Sequence, residues 1–171
     1  LYNLNESFMK HFNSYNIHLI YKELLNFCTV DLSSFYFDIR KDTLYCEEKN
    51  SKKRKDCQLL LNIILDSLLK WFAPILSFTT EEIFKLVNKN NSEKSIHLKK
   101  LNIFPKAWNN IDLEQNWKKI IDIRNEANSS IETMRAEKII GSSLEANIEI
   151  ELDEENYNLG KNYDFSEICI T

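Results

Sequence analysis

Glycine and proline are nearly absent, with two of each in 171 residues. Sheets built on tight turns need more of both, so the expected fold is all-α. The same scarcity leaves no room for a glycine-rich phosphate loop or a dinucleotide fingerprint, and no GxSxG motif occurs. His11, His18 and His97 have no paired acid or nucleophile at a telling spacing, so no catalytic residue is assigned. Cys28, Cys46, Cys57 and Cys169 form no CxxC pair and sit far apart. That argues against a metal site and against a disulfide framework. Buried free thiols in a reducing cytoplasm are expected instead. No secretory signal is visible. The apolar run from Leu59 to Phe78 has the length of a membrane span, but Asn62, Asp66 and Lys70 interrupt it. Asp66 and Lys70 stand four apart and can pair on a helix, so a core helix fits better and no membrane partner is expected.

Positive charge is also in deficit. The net charge is −4 and the isoelectric point about 5.5. An obligate nucleic-acid binder is expected to be basic. The deficit is uneven, however. From Glu145 to Thr171 eight acids face Lys161 alone, which leaves 21 basic and 18 acidic residues before them. The first part thus carries about +3 and the tail about −7, and a polyanion should meet the first part.

What is present is helical periodicity. Leu1, Leu4, Phe8 and Phe12 mark a first helix to about Asn13. Asn16 is placed to cap a second helix, with Tyr15 and Ile20 as a hydrophobic staple. Ile17, Ile20, Leu24 and Phe27 carry its apolar line, which Val30 and Ser34 continue to about Phe37. A charged corner, Asp38-Ile39-Arg40-Lys41-Asp42, and a strand-like or turn-like Thr43–Cys46 follow. A third helix over about 52–73 is apolar nearly all round and belongs at the centre of a bundle. Pro74 ends or kinks it. Thr79 and Glu82 read as a capping box for a fourth helix to about Asn88, with Phe78 and Ile83 as its staple. A loop over Lys89–Ser92 and a weakly alternating Ser95–Leu101 come next. The stretch from Pro105 to Asn110 is a connector.

Asp112 and Gln115 form a second box, opening a fifth helix whose broad face holds Leu113, Trp117, Ile120, Ile121, Ala127, Ile131 and Met134. It should reach about Ile140 and stop at Gly141. Ile148, Ile150 and Leu152 alternate with acids, which predicts a half-exposed strand. The boundaries expected are a helical bundle over 1–106, a long helix over 107–141 and the start of a small β-containing piece over 142–171.

Residues 49–55, KNSKKRK, crowd five cations ahead of the third helix. Cations at a helix N-terminus oppose its dipole, by a few tenths of a kcal/mol each at about 0.3 and up. They are either a solvated first turn or the seat of an anionic partner.

The stretch FCTVDLSSFYFDIRKDTLYC, residues 27–46, holds seven Phe, Tyr or Cys residues. It closely resembles a signature stretch of isoleucyl-tRNA synthetases, class I enzymes with a helical anticodon-binding domain after the catalytic core. WFAPILSFTTEEIF and RAEKIIGSSLEA resemble the same family, in the same order. The resemblance implies a tRNA anticodon-arm binding domain, cut from a longer, monomeric cytoplasmic ligase that uses ATP and Mg. The family's HIGH and KMSKS signatures are absent, so this chain would hold tRNA(Ile) beside a catalytic domain of the same polypeptide and supply no bond-making residue or cofactor. The zinc-binding cysteines of many bacterial members, at the extreme C-terminus, are also absent.

Anticodon bases are splayed out, stacked on aromatic rings and read at their edges, while cations hold phosphates. The RNA-binding candidates are therefore Arg40, Lys41, Lys52, Lys53, Arg54, Lys55, Trp117, Arg124, Arg135 and Lys138. Trp117 and Trp108 either stack bases or pack internally. Arg124 and Arg135 either meet RNA or pair with Glu126, Glu132 or Glu137. The two serines of GSSLEA have turn and cap chemistry only. The same domain from a sister valyl, leucyl or methionyl enzyme is the near alternative. A helical protein-interaction scaffold without RNA is the far one.

Overall fold

A computed structural model describes residues 1–89 and 94–171. Among these residues the fold is all-α, in two compact units, Leu1–Asn109 and Asn110–Thr171. The first unit opens with α1 (Tyr2–Asn13) and α2 (Ile17–Asn26). Between them Tyr15 takes a left-handed φ of 58°. Its N–H bonds Phe12 O and the next N–H bonds His11 O, the paired bonds of a Schellman stop. Glycine normally fills that position, and this unit has none. Tyr15 is consequently thrown outward, 88% exposed, and the expected staple onto Ile20 does not form. The Asn16 amide bonds Ser14 Oγ rather than capping α2.

From Phe27 to Tyr36 the second helix runs on in π geometry, then passes through α3 (Phe37–Ile39) into α4 (Lys41–Tyr45). Ile20, Leu24, Cys28, Leu32 and Tyr36 recur every four residues and all turn inward. Four residues of an α-helix overshoot a full turn by about 40°. A wider π turn undershoots, so the mixed helix keeps a period-four line on one face. Val30 and Ser34, expected on that line, are exposed. Thr43–Cys46 is mostly helix rather than strand, because Leu44 and Cys46 N–H groups find Arg40 and Asp42 carbonyls.

Helix α5 (Lys52–Phe72) is the centre of this unit. Its Trp71 is fully buried against Phe8 and Phe104, with Ile20 and Leu24 in the same cluster. The helix is not apolar all round in effect, since Leu59 remains exposed. A polar latch crosses the core. Trp71 Nε1 donates to Asn5 Oδ1 (3.0 Å), and Asn5 Nδ2 donates to Asn102 O (3.2 Å). Asn102 Nδ2 in turn donates to Asp66 Oδ2 (2.8 Å) and Ser67 Oγ (3.0 Å). Lys70 pairs with Asp66 at 2.7 Å, the expected i, i+4 bond.

Helix α6 (Ser77–Val87) begins two residues before Thr79, so Thr79 is an exposed interior residue and no Thr79–Glu82 box forms. Phe78 stays exposed. The expected Lys89–Ser92 loop lies largely outside the described residues. Ser95–Leu101 is not a strand but holds a 3-10 turn at Ile96–Leu98, tied to α6 by Glu81. Glu81 accepts from Ser95 Oγ (2.8 Å), from Lys85 (3.0 Å) and from the Ile96 N–H (3.0 Å). These donors, Ser95 first, hold its carboxyl down to about 2 from an ordinary 4.5. The folded value lies below the unfolded one. The tie therefore stabilises fully above about pH 4.5 and is lost as pH falls towards about 2. Glu81→Gln is expected to flatten that acid limb. Thermal midpoints taken from about pH 5 to 2.5 should fall more steeply for wild type than for the variant.

The second unit is built on α7 (Ile111–Ala136), with α8 (Glu154–Gly160) and α9 (Phe165–Cys169) packed against it. Asn110, not Asp112, caps α7, through Leu113 N–H to Asn110 Oδ1 at 2.9 Å. Helix α7 stops before Gly141. Lys138 takes φ 59°, its N–H bonds Arg135 O, and Ile139 N–H bonds Met134 O, a second Schellman stop without glycine. In GSSLEA, Ser142 Oγ accepts from Leu144 N–H and Gly141 N–H reaches Glu145. The expected β-containing piece is absent: no strand occurs among the described residues of this unit. Ile148 and Ile150 do turn inward alternately, but they pack on the cluster of Ile120, Ala127, Ile168 and Cys169 instead of pairing in a sheet. Cys46 is exposed, against the expectation of four buried thiols.

Candidate nucleic-acid interface

Two cation groups, at 40–41 and 52–55, stand at the starts of two helices that pack on each other in the Leu1–Asn109 unit. The π-helical stretch delivers Tyr36 against α5, where its hydroxyl lies 3.5 Å from Cys57 Sγ. Burial, then this contact, push the Tyr36 hydroxyl above its ordinary range, while the nearby Arg40 guanidinium pulls it down. Arg40 is thereby placed beside the first turns of α5. Helix α4 packs on α5. Beyond it, Arg54 Nη1 donates to Glu47 O at 3.0 Å and clamps the chain to the start of α5. Ser51 Oγ accepts from the Arg54 N–H at 3.1 Å, capping that start. The signal for this cap in the sequence is Ser51, one residue before the run of cations.

The first turn of α5 holds no acid to balance its dipole. Lys52, Lys53 and Lys55 are exposed, and Arg54 is half-buried in its clamp. Arg40 is half-buried and Lys41 exposed. Lys41 pairs with Asp38 at 2.7 Å, and that hydrogen bond raises its ammonium above the ordinary value. Between positions 38 and 56 seven cations stand against five carboxylates. The excess is only two, so this end can hold phosphates through where its cations sit rather than through a strong field.

The other candidates belong to the Asn110–Thr171 unit. Trp117 is half-buried, edge-on to Tyr163 with centroids 5.2 Å apart, and packs on the cluster of that unit. Arg124 is 9% exposed and donates from Nε to Ile168 O at 2.8 Å. Arg124 thereby ties α9 to α7, and Trp117 packs on the cluster between them. Arg135 pairs with Glu132 at 2.6 Å, as one of the two sequence alternatives had it. Arg135 and Lys138 line one open cleft of about 490 Å³ with Ile140 and Gly141. Trp108 stacks on Phe104 at 5.2 Å in the first unit. Among the described residues no cluster of His, Cys, Asp or Glu could hold a metal ion, and no helix is long and apolar enough to cross a membrane.

Known proteins are similar to this chain. The chain is 58% identical over all 171 residues to a protein named isoleucine–tRNA ligase in Pelagibacter ubique (strain HTCC1062). It is 39% identical over 161 residues, 94% of the chain, to one so named in Agrobacterium fabrum (strain C58). A third, in Brachyspira hyodysenteriae (strain ATCC 49526 / WA1), is 42% identical over 141 residues, 81% of the chain. The chain spans only 19%, 16% and 15% of these three relatives. The family described as the anticodon-binding domain of tRNA ligases matches residues 1–150, and the chain therefore belongs to that family.

Proposed function

We propose that this chain binds the anticodon arm of tRNA(Ile) and positions it for an isoleucine–tRNA ligase of which it is one domain. The ligase would join isoleucine to tRNA with ATP and Mg in a catalytic domain of the same polypeptide, as a monomer in the cytoplasm. The relatives' shared name favours this over a valyl, leucyl or methionyl enzyme. The observation that carries the RNA role is that Arg40 and Lys41 stand at the start of a helix packed on the one that Lys52, Lys53 and Lys55 open. The exposed ammonium groups of the four lysines suit phosphate oxygens, which position RNA without reading sequence. Arg54 contributes by holding the loop before α5 in place. Arg135 and Lys138 supply a second, separate pair of cations.

The test is a salt titration with an isoleucine anticodon stem-loop. Replacing Lys52, Lys53 and Lys55 with serine is expected to lower the log–log salt slope by about 2, at roughly 0.7 per phosphate contact. Binding to a scrambled stem-loop should weaken equally. An unchanged slope would place the RNA face elsewhere. No binding by wild type would favour the scaffold reading instead.

A further inference from the structure

We propose that the ring of Tyr45, beside the outer face of Lys41, is a stacking surface for one unpaired RNA base at the cationic end of the first unit. The inference rests on the RNA-binding reading above and names the part of the RNA that this end takes.

Tyr45 is the last residue of α4 and 82% exposed. Exposure of a tyrosine ring is ordinary where the backbone forces it, as at Tyr15 with its left-handed φ. Tyr45 sits on regular helix, where no such constraint applies. The orientation of α4 is fixed by Thr43, which is 2% exposed and faces the interior. At about 100° per residue, positions two before and two after Thr43 lie on the opposite side of the helix. Those positions are Lys41 and Tyr45. They stand four apart, so an ammonium and an aromatic ring share one outward face, about one turn or ~6 Å apart along it. The sugar of a single nucleotide spans a separation of that order between its phosphate and its base.

The surroundings supply the remaining chemistry. The clamp from Arg54 to Glu47 O fixes the chain two residues past Tyr45 against the start of α5. Lys52, Lys53 and Lys55 are therefore held near the same end of the unit. Neither a hydrogen bond of its hydroxyl nor an aromatic neighbour engages Tyr45 among the described residues. An exposed aromatic face with an ammonium one turn away suits single-stranded nucleic acid, because every base offers a π face while phosphates need the charge; with Asp42, Glu47 and Glu48 close in sequence, the ring rather than a strong field would carry the contact. A duplex stem, whose bases are stacked internally, would use the lysines but not the ring.

The experiment uses anticodon stem-loops carrying 2-aminopurine at single loop positions, whose fluorescence falls when the base stacks. The variants are Tyr45→Ala, Tyr45→Phe and the Lys52, Lys53, Lys55→Ser triple. Tyr45→Ala is expected to weaken stem-loop binding about 5- to 150-fold, the range of one base–ring stack, without changing the salt slope. It should also abolish the quenching at one loop position. Tyr45→Phe should bind within about twofold of wild type, since the ring and not the hydroxyl stacks. A fully paired stem should not distinguish Tyr45→Ala from wild type. Wild-type affinity and quenching in Tyr45→Ala, with the lysine triple still losing slope, would overturn the stacking site and leave the RNA reading standing. Failure of wild type to bind any stem-loop would overturn both.

Discussion

Trp71→Ala is expected to lower the stability of the Leu1–Asn109 unit by about 3–5 kcal/mol, the range for removing a large buried aromatic ring. Trp71 has no exposed surface and lies between Phe8 and Phe104, each with ring centroids 6.4 Å away. A ring on α1 and one in the segment after the 3-10 turn at Ile96–Leu98 close on that one side chain of α5. Truncation leaves a cavity that three separate elements must collapse to fill. It also strands the buried Asn5 Oδ1, which loses the indole N–H. An unsatisfied buried acceptor costs about 1–3 kcal/mol, though the two effects share a site and do not simply add. Trp71→Phe keeps most of the ring and loses only the donor, so it should fall nearer the lower figure. Denaturant melts read the difference as a shifted midpoint at constant slope. A near-wild-type midpoint for Trp71→Ala would mean that α5 is not the centre of the unit.

Arg124→Ala is expected to loosen the Asn110–Thr171 unit by a comparable amount. Arg124 is the one buried cation among the described residues, and its Nε satisfies the Ile168 carbonyl of α9. Loss of the donor costs about 1–3 kcal/mol for the orphaned carbonyl, and loss of the aliphatic stem removes packing as well. Arg124→Met keeps the stem and removes the donor, so it should cost less than alanine. Hydrogen exchange at Ile120, Ala127 and Ile168 reports the loosening. Unaltered protection there, together with a lost preference for the isoleucine anticodon, would return Arg124 to the role of base reader.

Local pattern revealed the helices and most of their bounds, and missed several of the groups that cap them. The first, third and fifth helices followed from apolar spacing that needs no partner to be seen. The end of α7 falls short of Gly141, the one glycine placed to stop a helix, because Lys138 takes the left-handed position first. With glycine nearly absent, Tyr15 and Lys138 take the left-handed position, and no rule of composition picks those two out. The π-helical turn broke the 3.6-residue line at Val30 and Ser34, since the true spacing there is four. The cations were legible as residues, but the packing of the two helices they open was not. Arg40 reaches α5 through Tyr36 and Cys57, and Glu47 is tied to Arg54, contacts that cross between elements. Trp117 and Arg124 look the same in sequence whether they face RNA or face Ile168 and Tyr163. Only burial separates the two. The alternation at Ile148–Leu152 correctly marked a one-sided segment, but a strand needs a neighbour for its backbone, and alternation cannot supply one.

The polar latch also sets an order in time. The side chain of Asn5 donates to Asn102 O, across 97 residues of chain. A ribosome adding about 5–20 residues per second needs roughly 5–20 s to cover that interval. Helix α1 can form almost at once, and the Asn5 amide then stays bonded to water until α5 and Asn102 arrive to replace it. Closure of the unit is thus tied to the arrival of its last connector, and a nascent chain stalled before Asn102 would present Phe8 and Trp71 without the cover of Phe104.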